Sequence, residues 1–194
     1  VRQLKGAPTR DPEEDVIAII YSSGTTGTMK GIKVTYKSVV VSDRVFEIII
    51  GNTEKYKFLY VFPFNHIAGL ILYYVSLFKG WDMGLIENMN ASKLQKALLE
   101  FEPNLFAMVP KVFEVMEQKI RVAIREKGVV VEAVINGLLN LCYFLRKNFG
   151  INLGKPLFKG IRSKVFGPNI VSVGGGGTKF SGANARFFFS LGLN

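Results

Sequence analysis

From residue 15 to residue 109 the chain alternates short apolar runs with longer amphipathic stretches, separated by glycine, proline and small polar residues. Residues 16–21 form a continuous apolar run too short for a helix and closed by a Ser/Gly/Thr segment. That pattern predicts a strand buried on both faces, and such strands imply a parallel sheet. Residues 32–34 predict a second short strand, and Thr35 stands where it can N-cap a helix over 36–50 that Gly51 ends. The rhythm continues with strands at 58–62, 83–86 and 105–109 and helices at 68–78 and 91–101. Alternation of this kind predicts an α/β fold, a mostly parallel sheet flanked by helices, with ligands held outside the carboxyl ends of the strands.

After Pro110 the rhythm breaks into a helical excursion over 111–127, 129–149 and 155–165, before a strand at 170–173 and a helix at 181–191. Within 129–149, Glu132, Asn136 and Asn140 recur every fourth residue and line one narrow polar stripe on an otherwise apolar helix. Two readings stand side by side: a packed core helix with a wet edge, or an interfacial helix whose apolar side touches a membrane while flanking Arg and Lys meet lipid headgroups. Residues 1–14 are charged, contain Pro8 and Pro12, and predict a surface connector.

Composition narrows the class. A chain of 194 residues suffices for one sizeable domain, and its single cysteine, Cys142, forms no internal disulfide, so a reducing, cytoplasmic setting is the expectation, with peripheral contact to the inner face of a membrane as its extension. The apolar runs at 16–20 and 67–78 are shorter than the ~20 residues that span a bilayer, and no transmembrane helix is expected. Net charge is +10, and residues 111–165 carry 11 Lys/Arg against 4 Asp/Glu, so most of the excess sits in the helical excursion. Basic surfaces attract phosphates of any source. One Cys and one His exclude the usual zinc set, no RNP-type aromatic motif is present, and nucleic acid is not an expected partner.

Chemistry concentrates first in Tyr21-Ser22-Ser23-Gly24-Thr25-Thr26-Gly27-Thr28-Met29-Lys30-Gly31. Glycines allow tight curvature and close approach of amides to an anion, hydroxyls donate to phosphate oxygens, and a lysine neutralises charge at the end of the loop. The spacing fits neither the Walker P-loop nor the G-x-G-x-x-G pattern. It resembles the Tyr-Thr-Ser-Gly-Thr-Thr-Gly-x-Pro-Lys-Gly loop of the adenylate-forming enzymes, among them acyl-CoA synthetases, luciferases and peptide-synthetase adenylation domains. By that resemblance Ser22, Ser23, Gly24, Thr25, Thr26 and Gly27 hold the β- and γ-phosphates of ATP, and Lys30 stabilises the departing pyrophosphate. Met29 replaces the usual proline, which loosens the loop but leaves the lysine in register.

Three further segments extend the resemblance. Phe62-Pro63-Phe64-Asn65-His66-Ile67-Ala68-Gly69-Leu70 holds the chain's single histidine at the carboxyl end of a predicted strand and is similar to the family's Leu-Pro-x-x-His-x-x-Gly motif, which places His66 and Gly69 at the acyl pocket. Val173-Gly174-Gly175-Gly176-Gly177-Thr178-Lys179-Phe180-Ser181, followed by Ala185-Arg186-Phe187-Phe188, resembles the Ser-Gly-Gly-Ala-Pro-Leu-Ser segment and its helix. In that register Gly175 replaces the serine, and Gly175, Gly176 and Gly177 lie flat against adenine, with Gly176 and Gly177 also at the acyl group. Val109-Pro110-Lys111-Val112-Phe113-Glu114 resembles the entry to the helical insertion of long-chain fatty acid–CoA ligases.

The resemblance implies ATP, Mg²⁺ and CoA as reactants and cofactors, a fatty or other carboxylic acid as partner, and a two-step reaction through an acyl-adenylate. It also implies that residues 15–194 form part of a large N-terminal AMP-binding domain with its insertion at about 111–165. The Tyr-Gly-x-Thr-Glu segment, whose glutamate binds Mg²⁺, does not occur, nor does the small C-terminal domain with its lysine, so no metal ligand is expected here and ligase turnover by this stretch alone is not expected. The competing class is a non-catalytic nucleotide- or membrane-binding homologue.

Overall fold

The computed structural model describes residues 14–23, 29–50, 55–86, 90–176 and 179–194. In chain order the elements are β1 (Val16–Ser23), β2 (Met29–Thr35), α1 (Tyr36–Ile50), β3 (Lys57–Tyr60), α2 (Ile67–Phe78), β4 (Asp82–Leu85) and α3 (Ala91–Phe101). There follow β5 (Leu105–Met108), α4 (Pro110–Arg125), α5 (Val129–Phe149), α6 (Gly154–Leu157), α7 (Lys159–Phe166), β6 (Ser172–Gly175) and α8 (Gly182–Ser190). They form two compact units, Val1–Glu54 with Phe62–Gly80 and Lys55–Val61 with Trp81–Asn194. Residues 1–13, to which most of the expected connector belongs, and Gly51, the expected helix stop, lie outside the described residues.

In the first unit β1 pairs with β2 in antiparallel register, with Ser22 opposite Lys30 and Ser23 opposite Met29. This corrects the expectation of a first strand buried on both faces in a parallel sheet, since Val16, Ile19 and Tyr21 are exposed. An apolar run does not specify its partner, and the five residues between Ser23 and Met29 are too few for a parallel crossover, which takes about a dozen or more. β2 starts three residues earlier than the pattern suggests, so Lys30 stands on a strand. Thr35 does cap α1: the Ser38 N–H donates to Thr35 Oγ1 at 3.3 Å and the Thr35 N–H donates to Ser38 Oγ at 3.3 Å, a reciprocal capping box. The start of α2 is set by His66, and at its other end Lys79 is held by Glu47 and, at 3.3 Å, by Asp43 of α1. Its hydrogen bond to Glu47 holds the Lys79 ammonium above its ordinary pKa.

The second unit carries the expected parallel sheet, in the order β4-β3-β5-β6. Phe58 lies opposite Leu105, and Met108 opposite Gly175. The Asn104 side chain fixes one end of this sheet, its Oδ1 accepting from the Lys57 N–H at 2.8 Å. The core is aromatic: Phe113 meets Phe106 at 5.8 Å and Phe188 at 5.6 Å between ring centroids, and Phe166 meets Phe188 at 5.8 Å. Such edge-on contacts add to the burial of the rings themselves. Two of the three residues in the polar stripe of α5 bond to neighbouring helices, Glu132 accepting from Arg125 at 3.0 Å and Asn140 from Arg186 at 2.9 Å. The helix expected at 155–165 is two short ones, α6 and α7, bridged by the buried Arg162, which donates to the Gly154 and Leu191 carbonyls at 3.0 and 2.6 Å. β6 sits two residues later than expected, which brings Gly174 and Gly175 into the strand.

Candidate functional site

The two serines of the Ser/Gly/Thr segment close β1, and Lys30 faces Ser22 across the antiparallel ladder. Strand pairing therefore brings the two ends of the segment together. Gly24, Thr25, Thr26 and Gly27 lie outside the described residues. Lys30 is exposed, and among the described residues no carboxylate pairs with it, which leaves its ammonium available to an anion.

His66 precedes α2 in extended backbone, φ −106° and ψ 138°, and its Nδ1 accepts the Ala68 N–H at 3.2 Å. The ring is thus an N-cap, its Nδ1 the acceptor, on an exposed side chain. Gly69 is buried on the first turn of α2.

A cavity of about 340 Å³ opens between the β1–β2 hairpin and the segment that ends in α2, lined by Ile19, Tyr21, Met29, Phe64, Asn65 and Leu70 among others. Two motifs far apart in sequence thus share one wall-to-wall space within one unit. Tyr21, Phe64 and Asn65 belong to the two motifs read from the sequence but are given no role there.

In the other unit Gly175 ends β6 and Gly176 follows it, at the carboxyl edge of the parallel sheet, where the Gly176 N–H donates to the Met108 carbonyl at 3.4 Å. A Cβ at Gly175 would stand 2.4 Å from the Phe180 ring, so a glycine is required as long as that ring lies there. Gly177 lies outside the described residues. This unit also holds a larger apolar cavity of about 640 Å³ among α3, α4, α5 and α7, with Met116, Ile120, Ile135 and Ile161 in its walls and Lys119, Lys127 and Lys164 beside them.

Among the described residues no three His, Cys, Asp or Glu gather into a group able to hold a metal ion. No magnesium ligand is assigned among the described residues.

Residues 2–189 match the model of a family described as AMP-binding enzyme. Fatty acyl-CoA synthetase B of Dictyostelium discoideum is 29% identical over 169 residues, which is 85% of this chain and 24% of that protein. A 4-coumarate–CoA ligase-like protein of Arabidopsis thaliana is 29% identical over 115 residues, 56% of this chain and 20% of that one. The chain thus spans about a quarter or less of the curated relatives it matches. In structure it is similar to the adenylation domain of a carboxylate reductase from Mycobacterium chelonae, with a TM-score of 0.69 at 21% identity, covering 95% of this chain and 26% of that one.

Proposed function

Because the chain belongs to the AMP-binding enzyme family, we propose that it supplies the ATP-phosphate and acyl-group sites of an ATP-dependent acid–CoA ligase. The observation that carries this reading is the ladder that sets Lys30 opposite Ser22 at the mouth of the Ser/Gly/Thr segment, next to a cavity shared with the His66 segment.

In the proposed reaction a carboxylate oxygen attacks the α-phosphorus of ATP, the bond to the bridging oxygen breaks, and pyrophosphate leaves with that electron pair. Ser22, Ser23, Gly24, Thr25, Thr26 and Gly27 cradle the β- and γ-phosphates, and Lys30 neutralises charge that builds on the leaving pyrophosphate. Such work is positioning and electrostatics rather than covalent chemistry. His66 and Gly69 border the acyl group, with His66 oriented by its cap bond, and Gly175, Gly176 and Gly177 form a flat wall for adenine and the acyl carbonyl. CoA thiolate then attacks the acyl carbonyl of the adenylate and AMP departs. Magnesium, when bound with ATP, supplies charge neutralisation.

The acid is proposed to be a long-chain fatty carboxylate. The name of the Dictyostelium relative supports a fatty acid, and the apolar cavity of about 640 Å³ among α3, α4, α5 and α7 suits a long apolar chain. The test is acid-dependent exchange of labelled pyrophosphate into ATP by the full protein that carries these residues, across acids from acetate to stearate and including coumarate. Exchange that rises with chain length is the expected result. Exchange with aryl acids alone overturns the fatty-acid assignment, and exchange with no acid overturns the ligase reading.

A further inference from the structure

α5 is apolar on two sides. One side, with Ile135, Leu139 and Cys142, packs into the core, and Glu132 and Asn140 of the polar stripe are bound to α4 and α8. The other side is bare: Val130, Val134, Leu141 and Phe144 are 77, 55, 45 and 54% exposed. With the exposed Gly137 they fall at steps of four, three, four and three residues, which is one line along a helix of about 30 Å. In its most apolar window α5 is 11% buried, and it is the one described helix long and apolar enough, by length and composition, to cross a membrane, a feature the sequence reading did not pick out.

Cations stand at both ends of this line, with one exposed acid, Glu126, beside the first of them. Lys127 and Lys147 stand exposed at its two ends, and among the described residues no carboxylate pairs with either. Glu132 is the last acid in the chain, and Arg125 already occupies it. A helical partner would call for Glu/Lys pairs beside the seam, and none flank it; a second copy would set Lys127 and Lys147 against identical cations. An anionic surface meets both the apolar line and the flanking cations.

We propose that this face of α5 docks on an anionic lipid bilayer, the helix lying in the interface with Val130, Val134, Leu141 and Phe144 sunk to the headgroup–acyl boundary and Lys127 and Lys147 among the headgroups. Apolar burial supplies the hold, and cation attraction selects membranes of negative charge. The inference rests on surface chemistry and is independent of the ligase reading.

The test is co-sedimentation of the purified protein with vesicles of phosphatidylcholine alone and of phosphatidylcholine mixed with phosphatidylserine, without ATP. Binding should require phosphatidylserine and weaken in high salt. Val134→Asp and Phe144→Asp should each lower partitioning about tenfold or more. Lys127→Gln and Lys147→Gln should lower it about fivefold each. Because both apolar positions are exposed, the Asp variants should keep the parent circular-dichroism spectrum, and the Lys variants test the same surface without touching the apolar line. Phe144→Trp adds a reporter, since the native Trp81 is buried, and its emission should shift to the blue on mixed vesicles. Binding equal on neutral vesicles, binding indifferent to the Asp variants, retention through an alkaline carbonate wash, or a blue shift caused by self-association without lipid would each overturn the proposal.

Discussion

The Arg146 guanidinium lies 3.9 Å from the centroid of the Phe189 ring and donates from Nη1 to the Phe189 carbonyl oxygen at 2.8 Å. The same Nη1 reaches the Leu193 carbonyl at 2.7 Å, so one side chain of α5 ties down both the last turn of α8, where the Phe189 carbonyl also accepts from the Gly192 N–H, and the chain that leaves it. No acid follows Glu132 in the sequence, and carbonyl oxygens with an aromatic face stand in for a carboxylate. Partial removal from water holds the Arg146 pKa below its ordinary value, yet a guanidinium stays charged throughout the working range. Arg146→Ala is expected to destabilise the fold by about 2–3 kcal/mol, through the lost stack and the lost hydrogen bonds to the Phe189 and Leu193 carbonyls. Arg146→Lys should recover a minor share, because an ammonium lacks the planar fork. Urea unfolding of the three proteins gives the comparison, and an Arg146→Ala midpoint equal to the parent refutes the role.

His66 joins a structural task to a proposed chemical one, and the two separate by substitution. Its Nδ1 caps α2 through the Ala68 N–H. His66→Ala should therefore cost about 1 kcal/mol of stability, whereas His66→Asn keeps an acceptor at the cap and should stay near the parent. If His66 also borders the acyl group, both variants lose acid-dependent pyrophosphate exchange although only one loses the cap. Full exchange by the Asn variant would reduce His66 to a cap residue.

Much of this was legible in the sequence, and the failures share a cause. Period and boundary signals placed the helices 36–50, 91–101 and 129–149 on α1, α3 and α5, and Thr35 at a cap, because these depend on residues within a turn of one another. The partner of β1 was misjudged because pairing is a relation between segments, and Val16 to Tyr21 look the same whether they enter a parallel sheet or a hairpin. The cavity shared by Tyr21 and Asn65 is likewise invisible to local pattern, since the two residues meet only through tertiary packing. For α5 the sequence left two readings open, a core helix with a wet edge or an interfacial helix, for a third reason: periodicity does not say which side neighbours cover, and in the structure α4 and α8 take up Glu132 and Asn140 while one apolar side faces out.

Lys30 is the residue on which the phosphate reading can be tested most directly. It is exposed on β2, opposite Ser22, so Lys30→Ala should leave the fold intact. In the full protein the substitution should raise the barrier to adenylation by about 1.5–3 kcal/mol, the scale of a charge-assisted hydrogen bond, and appear mainly in kcat for pyrophosphate exchange. Exchange at the parent rate would remove Lys30 from the reaction.

Gly175 and Phe180 form a coupled pair. In the motif that this segment resembles, the positions hold serine and leucine; here they hold glycine and phenylalanine, and the Phe180 ring occupies the space a Cβ at 175 would need, at 2.4 Å. Phe180 also packs against Phe113, with centroids 5.7 Å apart, so the ring is anchored on its far side and does not swing away freely. Gly175→Ser alone should therefore destabilise the protein by about 1–3 kcal/mol through overpacking. Phe180→Leu alone should cost about 1 kcal/mol or more, through lost ring contacts and space left in the core. Combined, the two should cost less than their sum, because leucine vacates the volume that the serine needs, with a coupling of about 1 kcal/mol or more by a double-mutant cycle. Strict additivity would show that the glycine answers to something other than the ring beside it.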